Sequence, residues 1–189
     1  EKTLYGSTGG GGSYNYGYFF KISPGVQYAP ETKIDYDSIN SGKINSGMLL
    51  LTGNEKKIYG MNRYGGSFGY GTLFDYDIKS GIWTKLIDFD GINTGSHPTG
   101  GLMESPNGKL YGATYDGGAY GYGVLFEYDP ESKILTRKHD FNGINGKYPS
   151  ISQLVLIDMD KLVMGIQDEN IEQNPVRMFP NPVDDQLQI

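Results

Sequence analysis

Leu4-Tyr5-Gly6 returns as Ile58-Tyr59-Gly60 and again as Leu110-Tyr111-Gly112, at intervals of 54 and 52 residues. A chain copied in this way must fold one small unit several times and pack each copy on the next, which leaves few architectures open. Further anchors keep the interval. Gly17, Gly71 and Gly123 each open an apolar run containing Phe20, Phe74 and Phe126, and Met48, Leu102 and Leu154 fall 54 and 52 apart. Phe89 and Phe141 are 52 apart, whereas Tyr36 lies one residue off that register.

One period divides into four strand-like pieces. In the third copy Gly101–Glu104 leads through the turn Ser105-Pro106-Asn107-Gly108 to Lys109–Thr114. A glycine-rich loop, Tyr115 to Tyr122, precedes Gly123–Asp129, and the Pro130–Lys133 turn precedes Ile134–Phe141. Val124, Phe126 and Tyr128 alternate with Glu127 and Asp129, as a strand with two unlike faces requires. In the second copy Asp75 and Asp77 fall on the polar side, which predicts that they face solvent. First strands (Leu49–Leu51, Val155–Ile157) are the most apolar and fourth strands carry the most charge, as an inner-to-outer order would need. The expected fold is all-β: tandem four-stranded antiparallel blades of a β-propeller, incomplete or a fragment, with an open sandwich of meanders as the alternative. The repeats are expected over 1–167 (about 4–56, 57–108 and 109–160, and a partial unit 161–167), then a linker 168–175 and a tail 176–189. The start at Glu1, with neither Met nor a signal peptide, fits a mature form or a fragment.

Composition removes several functions. Lys plus Arg is 16 against 22 Asp plus Glu, a formal charge of −6, and no basic stripe exists to displace counterions from nucleic acid. There is no cysteine, hence no disulfide, thiolate nucleophile or Cys-held metal. No apolar run reaches the length of a membrane span. No motif calls for a cofactor.

The repeated residues resemble the GloVer repeat family. Its Leu-Tyr-Gly strand, Gly-Gly loop, Gly-x-(Leu/Val)-Phe strand and Phe-x-Gly segment before a Pro correspond here to Leu110-Tyr111-Gly112, Gly117-Gly118, Gly123-Val124-Leu125-Phe126, Phe141-Asn142-Gly143 and Pro149. The second copy matches through Ile58-Tyr59-Gly60, Gly65-Gly66, Gly71–Phe74, Phe89-Asp90-Gly91 and Pro98, while the first reads Ile34-Asp35-Tyr36-Asp37-Ser38 with no Phe-x-Gly. The resemblance implies a propeller-like fold in exported bacterial proteins and transfers no catalytic residue. Val176 to Ile189, with Phe179-Pro180-Asn181-Pro182 at its centre, is similar to the opening of the type A sorting domain of the type IX secretion system. On that likeness Pro180, Asn181 and Pro182 form a sorting signal, the secretion machinery is a partner, and the protein is extracellular or cell-surface; a plain Pro-rich tail is the alternative.

In a meander, the loops after second and fourth strands lie at one end. These are the long ones, Asn62–Tyr70 and Tyr115–Tyr122, then Asp90–Thr99 and Asn142–Ser150. Tyr14, Tyr16, Tyr64, Phe68, Tyr70, Tyr115, Tyr120 and Tyr122 are expected on this face among glycines, positioned to stack on a glycan or meet a surface protein, or else to tile neighbouring repeats. Asp88 to Gly95 has oxygens spaced as for calcium in outline, but Ile92 stands at a ligand position and no closing Glu follows, which favours a polar turn. His97 and His139 come from different repeat positions, and Gly9–Gly12 lacks the lysine and helix of a phosphate loop. The expected protein is non-enzymatic and presents this face for binding. A polysaccharide-acting enzyme would need acids that break the repeat symmetry, and a structural spacer remains the third possibility.

Overall fold

A computed structural model describes residues 2–25, 30–45, 47–54, 56–150 and 154–157. Twelve strands and no helix occur among them, in three antiparallel sheets, none closed. The first joins β1 (Leu4–Ser7), β2 (Tyr18–Ile22) and β3 (Thr32–Asp35) in that order. In the second, β6 (Lys57–Tyr64), β7 (Thr72–Asp77) and β8 (Ile82–Asp88) follow one another, and β4 (Lys43–Asn45) and β5 (Leu50–Leu51) share the free edge of β6. The third is the meander β9 (Ser96–Glu104), β10 (Leu110–Asp116), β11 (Val124–Asp129) and β12 (Ile134–Asp140).

The second sheet lies between the other two, and the period-2 alternation of its strands divides their side chains between two cores. Ile58, Phe74 and Tyr76 join Phe19 and Tyr36 of the first repeat. Tyr59, Met61 and Leu73 join Leu102, Leu110, Phe126 and Tyr128 of the third. Consecutive residues Leu73 and Phe74 thus serve opposite neighbours, both fully buried. This arrangement overturns one expectation. Asp75 is 3% exposed, because the polar side of β7 faces another sheet and not water. Its carboxylate is paired with Lys57 across the strand at 2.5 Å.

The tripeptide motif has a steric cause. Gly6, Gly60 and Gly112 each pair across the sheet with Phe20, Phe74 and Phe126, and each ring lies over its glycine where a Cβ would stand. Leu49 and Leu102 close the other side of Gly60 and Gly112. Leu49, not Met48, is therefore the counterpart of Leu102, and the interval there is 53. Tyr36 is likewise the counterpart of Phe89, since its N–H bonds Gly17 as Phe89 bonds Gly71 and Phe141 bonds Gly123. The first copy keeps the geometry that its sequence disguises. Leu154–Ile157 forms no strand, and Val155, Leu156 and Ile157 are exposed; the partial unit expected over 161–167 lies outside the described residues, as do the linker and the tail with Pro180, Asn181 and Pro182.

Candidate binding face

The joints between repeats form at the long-loop end, and each is made the same way. Ile44, His97 and Tyr148 have φ of 59°, 53° and 52°, the left-handed region that side chains seldom enter. Each donates its N–H to the carbonyl of the preceding repeat's loop tyrosine: Tyr16, Tyr70 and Tyr122, at 2.8–3.1 Å. The Gly-Gly pairs are required here by contact as well as by φ. Gly65 and Gly117 run against the backbone of Ser38 and Gly91, whose carbonyls accept from Gly66 and Gly118 at 2.8 Å.

Carboxylates fasten the loops from below. Asp88 accepts from Ser67 N–H at 3.0 Å and its hydroxyl at 2.8 Å, Asp140 from Ala119 N–H at 2.8 Å, and Asp35 from the Ser13 hydroxyl at 2.7 Å. The calcium-like loop is an Asx turn. Asp90 accepts from the N–H groups of Ile92, Asn93 and Thr94 and from the Asn93 amide, so both oxygens are committed. Burial works to raise its pKa, and these donors nevertheless hold it at about 2. Asp37 and Asn142 head the same turn in the other copies. Among the described residues no three His, Cys, Asp or Glu gather as a metal site.

The eight aromatic candidates separate into two sets. Tyr64 and Tyr70 meet the edge of His97 at 4.9 and 6.0 Å, while Tyr115 stacks on Tyr148 at 5.1 Å and Tyr122 meets its edge at 5.5 Å. Tyr16 lies under Lys43, and Arg63 lies between Tyr64 and Tyr115. These five tile the joints, Tyr70 while still 42% exposed. Tyr64 and Tyr115 stand on strands β6 and β10, not in loops, and β9 begins at Ser96, inside the segment expected as loop. The remaining three, Tyr14, Phe68 and Tyr120, occupy one repeat position at the loop tips and are 59–60% exposed.

A second exposed row escaped the sequence reading. Ile39, Ile92 and Ile144 sit at the same place in the three Asx turns, 64%, 71% and 97% exposed. The signal was present: an isoleucine inside a polar turn, three times over. Their carbonyls tie the repeats together, Ile39 accepting from Lys85 and Ile92 from Arg137, both at 3.1 Å.

Away from this end, Glu127 is the most heavily contacted carboxylate, taking Lys109 at 2.8 Å, the Tyr111 hydroxyl and Lys138 at 3.3 Å. The Lys109 bond, then that of Tyr111, hold its pKa at about 2. A folded-state value below the unfolded one, about 4.3 for Glu and 3.9 for Asp, adds stability that is present above the unfolded value and lost as pH falls through the folded one. Urea unfolding is therefore expected to be flat from neutral pH to about 5 and to weaken between about 4.5 and 2, with Glu127→Gln showing a shallower decline. An undiminished wild-type midpoint at pH 2.5 would contradict this.

The family model described as the Gloeobacter/Verrucomicrobia repeat matches residues 1–179. No curated protein matches the chain. Among solved structures, one from Bacteroides fragilis described as a candidate 6-phosphogluconolactonase is 23% identical with a TM-score of 0.38, over 64% of this chain and 31% of its own. The chain thus spans less than a third of that structure's length.

Proposed function

The chain belongs to the Gloeobacter/Verrucomicrobia repeat family, and from that premise we propose that it is a non-enzymatic binding protein whose long-loop face holds an extended glycan. The observation that carries this reading is the row Tyr14, Phe68 and Tyr120, one uncovered ring per repeat on loops fastened by Asp35, Asp88 and Asp140. Rings presented at a fixed interval suit a polymer of repeating sugars, each contact weak and the sum strong. The isoleucine row favours a second reading, an apolar surface of a protein partner.

The reading extends to architecture and location. The three sheets are read as blades of a propeller, and a crystal structure showing them in an open stack would count against it. Export rests on the tail centred on Pro180, Asn181 and Pro182, and loss of surface display on its deletion in a type IX secreting bacterium is the result that reading requires.

The triple variant Tyr14→Ala, Phe68→Ala, Tyr120→Ala tests the face itself. These exposed positions should leave the melting temperature close to wild type. Binding to polysaccharides on a glycan array should fall at least about tenfold, at about 0.5–1.5 kcal/mol per ring. A blank array with the unaltered protein, alongside a pull-down that retains a protein ligand, would move the assignment to the second reading. Both blank would end it.

A further inference from the structure

At the short-turn end, opposite the loop face, the second and third sheets enclose a cavity of about 260 Å³ lined by Lys57, Tyr59, Glu104, Asn107 and Lys109 among others. The corresponding groove between the first and second sheets is lined by Thr3, Tyr5, Leu49, Leu51, Ile58 and Ile78. Position by position, Tyr59 answers to Tyr5 and Glu104 to Leu51, so the repeat itself prescribes an apolar groove and this junction departs from it. Leu156 falls at the same place one interval further on. Glu104 is the acid that breaks the symmetry.

Two groups there are held without full partners. Tyr59 and Tyr111 occupy the same register, opposite Asp75 and Glu127. Tyr111 donates its hydroxyl to Glu127. Asp75 is one methylene shorter and is held by Lys57, and the Tyr59 hydroxyl, on a side chain only 3% exposed, has no hydrogen-bond partner among the described residues. That hydroxyl is not sealed in the core: it opens to the cavity, where a bound ligand can accept the hydrogen bond it does not spend within the protein. Glu104 spends one oxygen on the Gly53 N–H at 2.6 Å and keeps the other for the cavity. Burial, reinforced by the charges of Asp75 and Glu104, raises the Tyr59 pKa, so its hydroxyl stays protonated as a donor.

The charges exclude an anion. Lys57 and Lys109 are each neutralised by a carboxylate, Asp75 and Glu127. Asp129 at the rim is engaged by the Glu131 N–H of its turn. What remains is a hydroxyl, the second oxygen of Glu104, the Glu131 carboxylate and side-chain amides, in a space below the size of drug-binding clefts, which span roughly 300–1,000 Å³. Vicinal hydroxyls, each both donor and acceptor, match that set. We propose that this cavity binds a single neutral sugar residue, with Tyr59 donating to one ring hydroxyl and Glu104 accepting from its neighbours. The site is separate from the loop face and does not rest on the function proposed for it.

Calorimetric titration of the full chain with glucose, galactose, mannose and N-acetylglucosamine, and in parallel with putrescine as a cationic probe, decides the matter. At least one sugar should saturate in the millimolar range. Tyr59→Phe should weaken it about fivefold, one hydrogen bond's worth, and Glu104→Leu should abolish it. Glu104→Leu installs the residue the repeat already carries at 51, and Tyr59→Phe removes one oxygen, so if the first variant fails to fold the second still decides. The triple loop-face variant should bind the sugar as wild type does. No saturation by any sugar, saturation unchanged by both cavity variants, or saturation by putrescine alone would each overturn the assignment.

Discussion

Gly112→Ala is expected to lower stability by about 1–3 kcal/mol, although alanine ordinarily strengthens a strand relative to glycine. The backbone at Gly112 is not left-handed, so conformational freedom is not the reason. Space is. The added methyl would stand inside the contact shell of the Phe126 ring and 3.0 Å from Leu102 Cδ2, in a core already closed by Tyr128 and Phe89. The strand cannot rotate away, since Leu110↔Tyr128 and Gly112↔Phe126 are in register on the same face. Phe126→Leu removes the clashing edge and has a cost of its own. In the double variant the two costs should not add, and the coupling in a double-mutant cycle read by urea unfolding should be at least about 0.5 kcal/mol in the rescuing direction. A neutral single variant, or an additive cycle, would mean that the ring can move aside and that the Leu-Tyr-Gly motif has some other cause.

That glycine–phenylalanine pairing explains why so much of the fold was legible. The two partners lie in different strands and recur together, so the repeat carries strand order and register with it. Four strands, their turns and the segregation of long loops to one end all follow. The failures have physical causes. Met48 and Leu49 are both apolar, and a one-residue shift in a strand changes the face presented, so periodicity chose the wrong one. Asp75 alternates with Phe74 and Tyr76 as a solvent-facing residue would, because a period of 2 reports two faces without saying what covers the second. Tyr120 and Tyr122 look alike in sequence. Only the joint with Tyr148 separates a ring that is 60% exposed from one that is packed. The unshared Tyr59 hydroxyl at the cavity depends on a difference of one methylene between Asp75 and Glu127, which no motif displays.

Phe74→Ala should cost about 3–5 kcal/mol, the usual range for emptying a fully buried aromatic site, and the loss should fall on one side of the molecule. Phe74 stacks on Trp83 at 5.2 Å and meets Tyr36 at 6.1 Å and Phe19 at 6.5 Å, all in the core between the first and second sheets. The core between the second and third sheets is held by other rings, with Phe89 and Phe126 at 5.5 Å. Stacked repeats couple mainly to their neighbours, so one weakened junction can open while the next stays closed. Amides of β1–β3 should therefore lose hydrogen-exchange protection in Phe74→Ala while those of β9–β12 keep it. Trp83, the single tryptophan, sits in the affected core, and its fluorescence should change at lower urea than the far-ultraviolet circular dichroism. Phe126→Ala should reverse the pattern, releasing β9–β12 first. If both variants instead lower protection evenly along the chain, the two cores unfold as one, and the repeats are a sequence device without independent energetic existence.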